Sequence, residues 1–271
     1  MNACIDEILS NPGSLYLSDL KNKNETIFLY TIGVLTTSLC LGVKFGYNKE
    51  ELIELGLGAL NYDIGMLSIP ENILKKETKL NMTEQEILNN HTIYGYEMLS
   101  EISCISPKST IIALSHHENQ DGTGYPRGLK GNGKPPTRDY DKSNKIYSYA
   151  EIVSLADHFD MYCYGRKHFS EALGVEEAVK KLVSLKKSKF NPYVLSKFLE
   201  LSPIYTVGMR VRIKCDPVNN MEGYYAVVSD INDKHPYGPK IVIYESPSRL
   251  KIKPIKVDLS KFKGIKIQII S

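Results

Sequence analysis

The sequence predicts a mainly α-helical bundle followed by a small C-terminal all-β, barrel-like domain, and three observations carry that expectation. From residue 25 to about residue 198, apolar side chains recur at three- and four-residue spacing, the period of an amphipathic helix. After Pro203 the texture changes to short β-branched runs with alternation and intervening turns. The chain has 271 residues, enough for one sizeable core plus a smaller module. The expected organisation is an N-terminal extension over 1–24, a helical domain over 25–202 and a β domain over 203–271.

Taken in order, residues 26–43 ("TIFLYTIGVLTTSLCLGV") carry no charge, which touches the lower limit for a membrane span. Their four threonines and one serine, and the amphipathic stretch that follows, favour a buried core helix instead. The segments "KEELIELGLGAL", "EQEILNNHTIYGYEML", "AEIVSLADHFDMY" and "VEEAVKKLVSL" continue the helical period. Thr83 followed by Glu86 has the spacing of a capping box that would start the helix bearing His91. Residues 131–145 form a polar, Gly- and Pro-bearing loop between two helices. The runs "VGMRVRI", "YYAVVSDI", "KIVIYE" and "KGIKIQII" supply the β domain.

Composition narrows the function. With 42% hydrophobic and 24% charged residues and a net charge of +3, the chain has neither the character of a disordered protein nor the basicity of a nucleic-acid binder. Five cysteines without CxxC spacing point to neither a disulfide framework nor a zinc knuckle, and fit a reducing cytoplasm. The N-terminus lacks the basic and apolar regions of a signal peptide.

The residues that could carry chemistry are Asp63, His91, the adjacent His116 and His117, and Asp157. Imidazole and carboxylate groups from separate helices can converge on a divalent metal in a bundle core. Neighbouring histidines on a helix point about 100° apart, so both can face one ion only at a helix end or a kink. The Gly122 and Gly124 turn just beyond them fits such an end.

The string "HHENQDGTGYPRGLKG" closely resembles the signature of HD-GYP phosphodiesterases, bacterial enzymes of the HD superfamily that hydrolyse cyclic di-GMP. The likeness extends to "ALNYDIGMLSIPENIL", "NNHTIYGYEML", "SLADHFD" and "KFNPYVLSKFL", and the β tail resembles a module commonly appended to this family. The resemblance implies a helical bundle of the HD superfamily, with Asp63 bridging metals, His91, His116 and His117 as metal ligands, and Asp157 as the closing aspartate. It makes Asp63, His116 and His117 the catalytic set, Arg166 a phosphate contact suited to bidentate bonding, and Tyr125 a stacking wall for guanine.

The departures cluster. Tyr62 stands where the family has the histidine of its HD pair, and Tyr30 where it has an earlier histidine. Met66 replaces a lysine, Glu151 replaces an arginine, and a second basic phosphate contact falls on Phe169, with Lys167 as its substitute. Both imidazoles of one metal position are thus lost while the other set is complete, which implies one metal or an unequal pair. Tyr30 and Tyr62 either fill space and bond an aspartate through their hydroxyls or act as phenolate ligands to iron.

The resemblance implies a metal-dependent cyclic di-GMP phosphodiesterase giving pGpG or GMP, with Fe or Mn as the ion and Mg as an alternative. The alternative is a degenerate cyclic di-GMP receptor or adaptor that contacts diguanylate cyclase (GGDEF) domains through the GYP loop. A homodimer is compatible with either, and neither calls for a nucleic-acid polymer or a membrane span.

Overall fold

The computed structural model describes residues 25–103, 105–136, 145–166, 168, 170–185, 188–201, 207–216, 220–231, 238–262 and 265–270. It divides into two compact units after Phe198, one helical and one built on a sheet.

In the helical unit, α1 (Glu25–Lys44) and α2 (Lys49–Asn61) pack together and lead into a 3-10 turn (Ile64–Ser68). Short α3 (Glu71–Leu74), α4 (Met82–Asn89), α5 (His91–Ser100) and α6 (Pro107–Ser115) follow, then α7 (Ser148–Tyr164), α8 (Val175–Ser184) and α9 (Pro192–Leu201). Helix α7 is the centre of the bundle, since every residue except Phe159 and Tyr164 is buried. A helix covered all round needs neighbours on each side, and α1, α6 and α8 provide them. The uncharged 26–43 stretch becomes α1, which packs on α2 and α7 and buries Val34 and Leu41. No helix among the described residues is long and apolar enough to cross a membrane.

The helix starts follow side-chain caps. Asn48 accepts from the Glu51 amide while the Glu51 carboxylate accepts from the Asn48 amide, and Ser106 with Pro107 opens α6. The capping box of α4 is formed by Asn81 and Glu84, two residues earlier than the expected Thr83–Glu86 pair. Asparagine is the stronger cap, and Glu84 is further held by Lys76 at 2.7 Å. The helix so started also stops at Asn89, and His91 begins a new one.

The second unit is a five-stranded antiparallel sheet in the order β4-β3-β2-β1-β5, with β1 Arg210–Cys215, β2 Tyr225–Asp230, β3 Lys240–Glu245, β4 Lys251–Asp258 and β5 Lys266–Ile269. Val211, Ile213, Ala226, Val228, Ile241 and Ile243 are buried at alternate positions, which gives the sheet one apolar face. Among the described residues β4 and β5 do not pair, so the expected barrel is not closed. The β4 edge instead exposes Lys251, Lys253 and Lys256, a charge pattern that discourages pairing with another strand.

Candidate metal centre

Three helix junctions of the bundle bring four side chains to one point. Asp63 lies between α2 and the 3-10 turn, His91 opens α5, and His116 and His117 follow the last residue of α6. The helix end at Ser115 is what lets both adjacent imidazoles turn inward: their ring centroids are 4.1 Å apart at 46°. One potential ligand atom from each of Asp63, His91, His116 and His117 lies within 4.8 Å of the others.

Two of the imidazoles are oriented from behind. His91 Nδ1 lies 2.7 Å from the Leu88 carbonyl and His116 Nδ1 lies 3.0 Å from the Ala113 carbonyl. A carbonyl oxygen only accepts, so both Nδ1 atoms carry protons and both Nε2 atoms present lone pairs. Those Nε2 atoms face each other at 3.4 Å, with Asp63 Oδ1 at 3.3 Å from His91 Nε2 and 3.6 Å from His116 Nε2. Burial, with the neighbouring imidazoles of His116 and His91 adding to it, holds His117 well below the usual imidazole value, so it too offers a lone pair. Burial alone would raise the Asp63 carboxyl, but the imidazoles of His116 and His91 beside it and the Arg166 charge hold it well below the usual range. Lone pairs converging on a carboxylate in a buried space repel unless a cation lies between them. Asp63 Oδ1 is moreover buried without a hydrogen-bond partner. The donor set therefore fits a divalent ion, and three imidazoles with one carboxylate suit a first-row transition metal.

The other residues singled out in the sequence lie around this cluster. Asp157 is outside the four-ligand group; its Oδ1 accepts from the Tyr62 hydroxyl at 2.8 Å and from Arg166 Nη1 at 2.7 Å. Burial and the nearby carboxylates hold the Tyr62 phenol well above its usual value, so Tyr62 is a proton donor here and not a phenolate. The Tyr30 hydroxyl donates to the Gly165 carbonyl at 2.9 Å, and its ring lies 4.8 Å beneath the Arg166 guanidinium. Tyr125 stacks on His117 at 4.7 Å and 28°, placing one face of the phenol against the centre. Lys167 and Phe169 lie outside the described residues.

Gly124 makes the Tyr125 contact feasible, because a methyl there would fall on the Asn119 amide, the His117 carbonyl and the Glu118 backbone. The loop is closed by Glu118, a residue the sequence reading passed over. It is 2% exposed, and its carboxylate accepts from the Arg127 amide at 2.9 Å and the Leu129 amide at 2.7 Å. His158 was also passed over. Burial, with the Lys189 charge, pushes it down to about 3, and its ring stands 6.3 Å from His117. Its signal was its place directly after Asp157.

Glu151, at the position where an arginine was expected, is buried and accepts from Gln120 at 2.6 Å and Asn191 at 2.8 Å, so it ties the loop after His117 to α7 and to the start of α9. Burial pushes its carboxyl up to about 7, with the two amide donors offsetting only part of that rise. The folded chain binds this proton more tightly than the unfolded one, so its contribution is fully present below the ordinary glutamate value and lost as pH rises through about 7. The expected loss is about 3 kcal/mol between roughly pH 4.5 and 7. Urea unfolding at a series of pH values should show that slope in the native chain and not in Glu151→Gln; equal slopes would refute it.

A helical bundle whose helix ends deliver three imidazoles and a carboxylate to one buried point defines a metal-centre protein. Residues 14–194 match the HD-domain family, and the chain belongs to it. It is 27% identical to a cyclic di-GMP phosphodiesterase of Pseudomonas aeruginosa over 263 residues, 95% of this chain and 58% of that protein. It is 35% identical to a cyclic di-GMP phosphodiesterase of Thermotoga maritima over 159 residues, 58% of this chain and 40% of that protein. The chain thus spans about half the length of these relatives. A solved HDG"Y"P protein from Bdellovibrio bacteriovorus aligns at a TM-score of 0.49 and 23% identity, covering 62% of this chain and 50% of that one.

Proposed function

We propose that this chain is a metal-dependent phosphodiesterase that opens cyclic di-GMP to pGpG or GMP, with Asp63, His91, His116 and His117 holding the ion. The observation that carries the reading is the set of imidazole lone pairs turned onto the Asp63 carboxylate. The two relatives bearing that activity in their names support the choice of substrate. The ion proposed is Fe(II) or Mn(II), with Mg(II) as the weaker alternative for a site this rich in nitrogen.

When bound, a divalent ion supplies a nucleophilic water at neutral pH and offsets charge on the phosphoryl oxygens. Leu88 and Ala113 fix the imidazole tautomers through their carbonyls. Arg166 adds a permanent positive charge beside Asp63, Nη1 to Oδ2 at 3.6 Å. Tyr125 walls the centre on the side of His117 and can stack with a base through its other face. In this reading the helical domain over 25–202 carries the chemistry and the β domain over 203–271 is accessory.

The test is chromatography of cyclic di-GMP incubated with protein purified without oxygen and supplied with Fe(II) or Mn(II), beside a His117→Ala control. Linear pGpG or GMP should appear and be lost in the control. Intact dinucleotide under each metal overturns the reading. The receptor alternative is favoured by one observation, the commitment of Asp157 to Tyr62 and Arg166, and it would then require dinucleotide binding without turnover.

A further inference from the structure

We infer that Arg166 is a built-in cation of the metal centre: its guanidinium occupies the space between Asp63 and Asp157, so the centre takes one divalent ion per chain, and Arg166 selects which Asp63 oxygen faces that ion.

Two buried carboxylates meet here, Asp63 at 4% exposure and Asp157 at 1%. Arg166 Nη1 reaches both, at 2.7 Å from Asp157 Oδ1 and 3.6 Å from Asp63 Oδ2. The two oxygens of Asp63 are thereby given different tasks. Oδ1 faces the Nε2 atoms of His91 and His116, and Oδ2 faces the guanidinium.

The guanidinium is held from several directions. Nη2 donates to the Tyr62 oxygen at 3.3 Å, while the Tyr62 hydroxyl donates to the same Asp157 oxygen that Arg166 engages. The Tyr30 ring covers the guanidinium, and the Tyr30 hydroxyl bonds the carbonyl of Gly165, the residue just before Arg166. The Arg166 backbone is pinned in turn, since its amide donates to the Ser170 carbonyl at 2.8 Å and its carbonyl accepts from the Ser170 amide at 3.0 Å. Both tyrosines thus serve the arginine, one as a hydrogen-bonding partner and one as a covering face.

Charge count reaches the same conclusion. Among the groups in direct contact, Asp63 and Asp157 contribute two negative charges, Arg166 one positive charge, and the imidazoles none when they act as ligands. One divalent ion brings the cluster to a single positive charge, which a phosphodiester monoanion neutralises. A second divalent ion would leave three positive charges in a water-poor site, where unpaired charge is costly. It would also have to share Asp157 with Arg166 and Tyr62, which both engage Oδ1 and leave only Oδ2 to offer.

The inference rests on the metal reading of the site and not on its substrate. An ion count needs no hydrolysis, so an inactive protein with one ion sinks only the phosphodiesterase reading, and an active protein with two ions sinks only this one. The experiment is equilibrium dialysis of the full chain against Mn(II), with ions per chain measured by mass spectrometry and electron paramagnetic resonance of the same samples. The native chain should hold about one ion, with the spectrum of an isolated Mn(II). Arg166→Ala should move toward two ions with an exchange-coupled spectrum, and millimolar methylguanidinium should return it toward one. Arg166→Lys, which keeps the charge and serves if the alanine variant does not fold, should stay at one. Two ions in the native chain would overturn the inference. So would a folded Arg166→Ala that holds a single ion with unchanged affinity.

Discussion

Replacing Asp63 by asparagine is expected to strip the metal centre and abolish the proposed hydrolysis while the helical unit stays folded. Asp63 is the carboxylate of the four-ligand cluster, and it lies buried between the imidazoles and Arg166. Asparagine keeps its volume, so no cavity opens, but the anionic ligand that offsets the ion's charge is gone. Metal affinity should fall by well over about 100-fold, the upper end of what loss of an outer supporting partner costs. Competition with a fluorescent chelator measures the affinity, and far-ultraviolet circular dichroism checks the fold. A variant that keeps native affinity would show that the ion is held elsewhere.

Gly65→Ala should be the most damaging substitution that removes no functional group. A methyl on Gly65 would fall on the His91 carbonyl oxygen and the Gly95 amide, both backbone atoms of α5. Backbone cannot turn aside as a flexible side chain can, so the 3-10 turn and α5 would be forced apart. The expected cost is at least about 3 kcal/mol, the upper range for overpacking. For a unit of this size that lowers the thermal midpoint by roughly 6–12 °C. Because Asp63 and His91 sit on the two elements being separated, metal affinity should fall with stability. A native midpoint in the alanine variant would mean that the close approach is not needed to form the centre.

Much of the fold was legible because its signals are local. Helical spacing through α2, α5 and α7 and alternation in β1 to β3 depend on residues a few positions apart, and burial follows from them. The adjacent histidines could be read as lying at a helix end because a glycine-rich turn follows within a few residues, and α6 does end at Ser115. The cap of α4 was less legible. Two overlapping frames, Asn81 with Glu84 and Thr83 with Glu86, both match the box, and the formed one gains from Lys76 packing onto Glu84.

The sequence by itself determined the helical and β divisions, the chemical type of the centre and the residues able to ligate a cation, since each depends on residue type and short-range period. The tertiary structure alone decided what Tyr30, Tyr62 and Glu151 do. Tyr62 and Arg166 are separated by 104 positions and Tyr62 and Asp157 by 95, while Glu151 meets Asn191 across 40. Contacts over such distances leave no period in the chain. Whether a phenol becomes a ligand, a spacer or the clamp of an arginine depends on which charges the packing of α1, α2 and α7 brings against it, and on the desolvation that makes those charges pair.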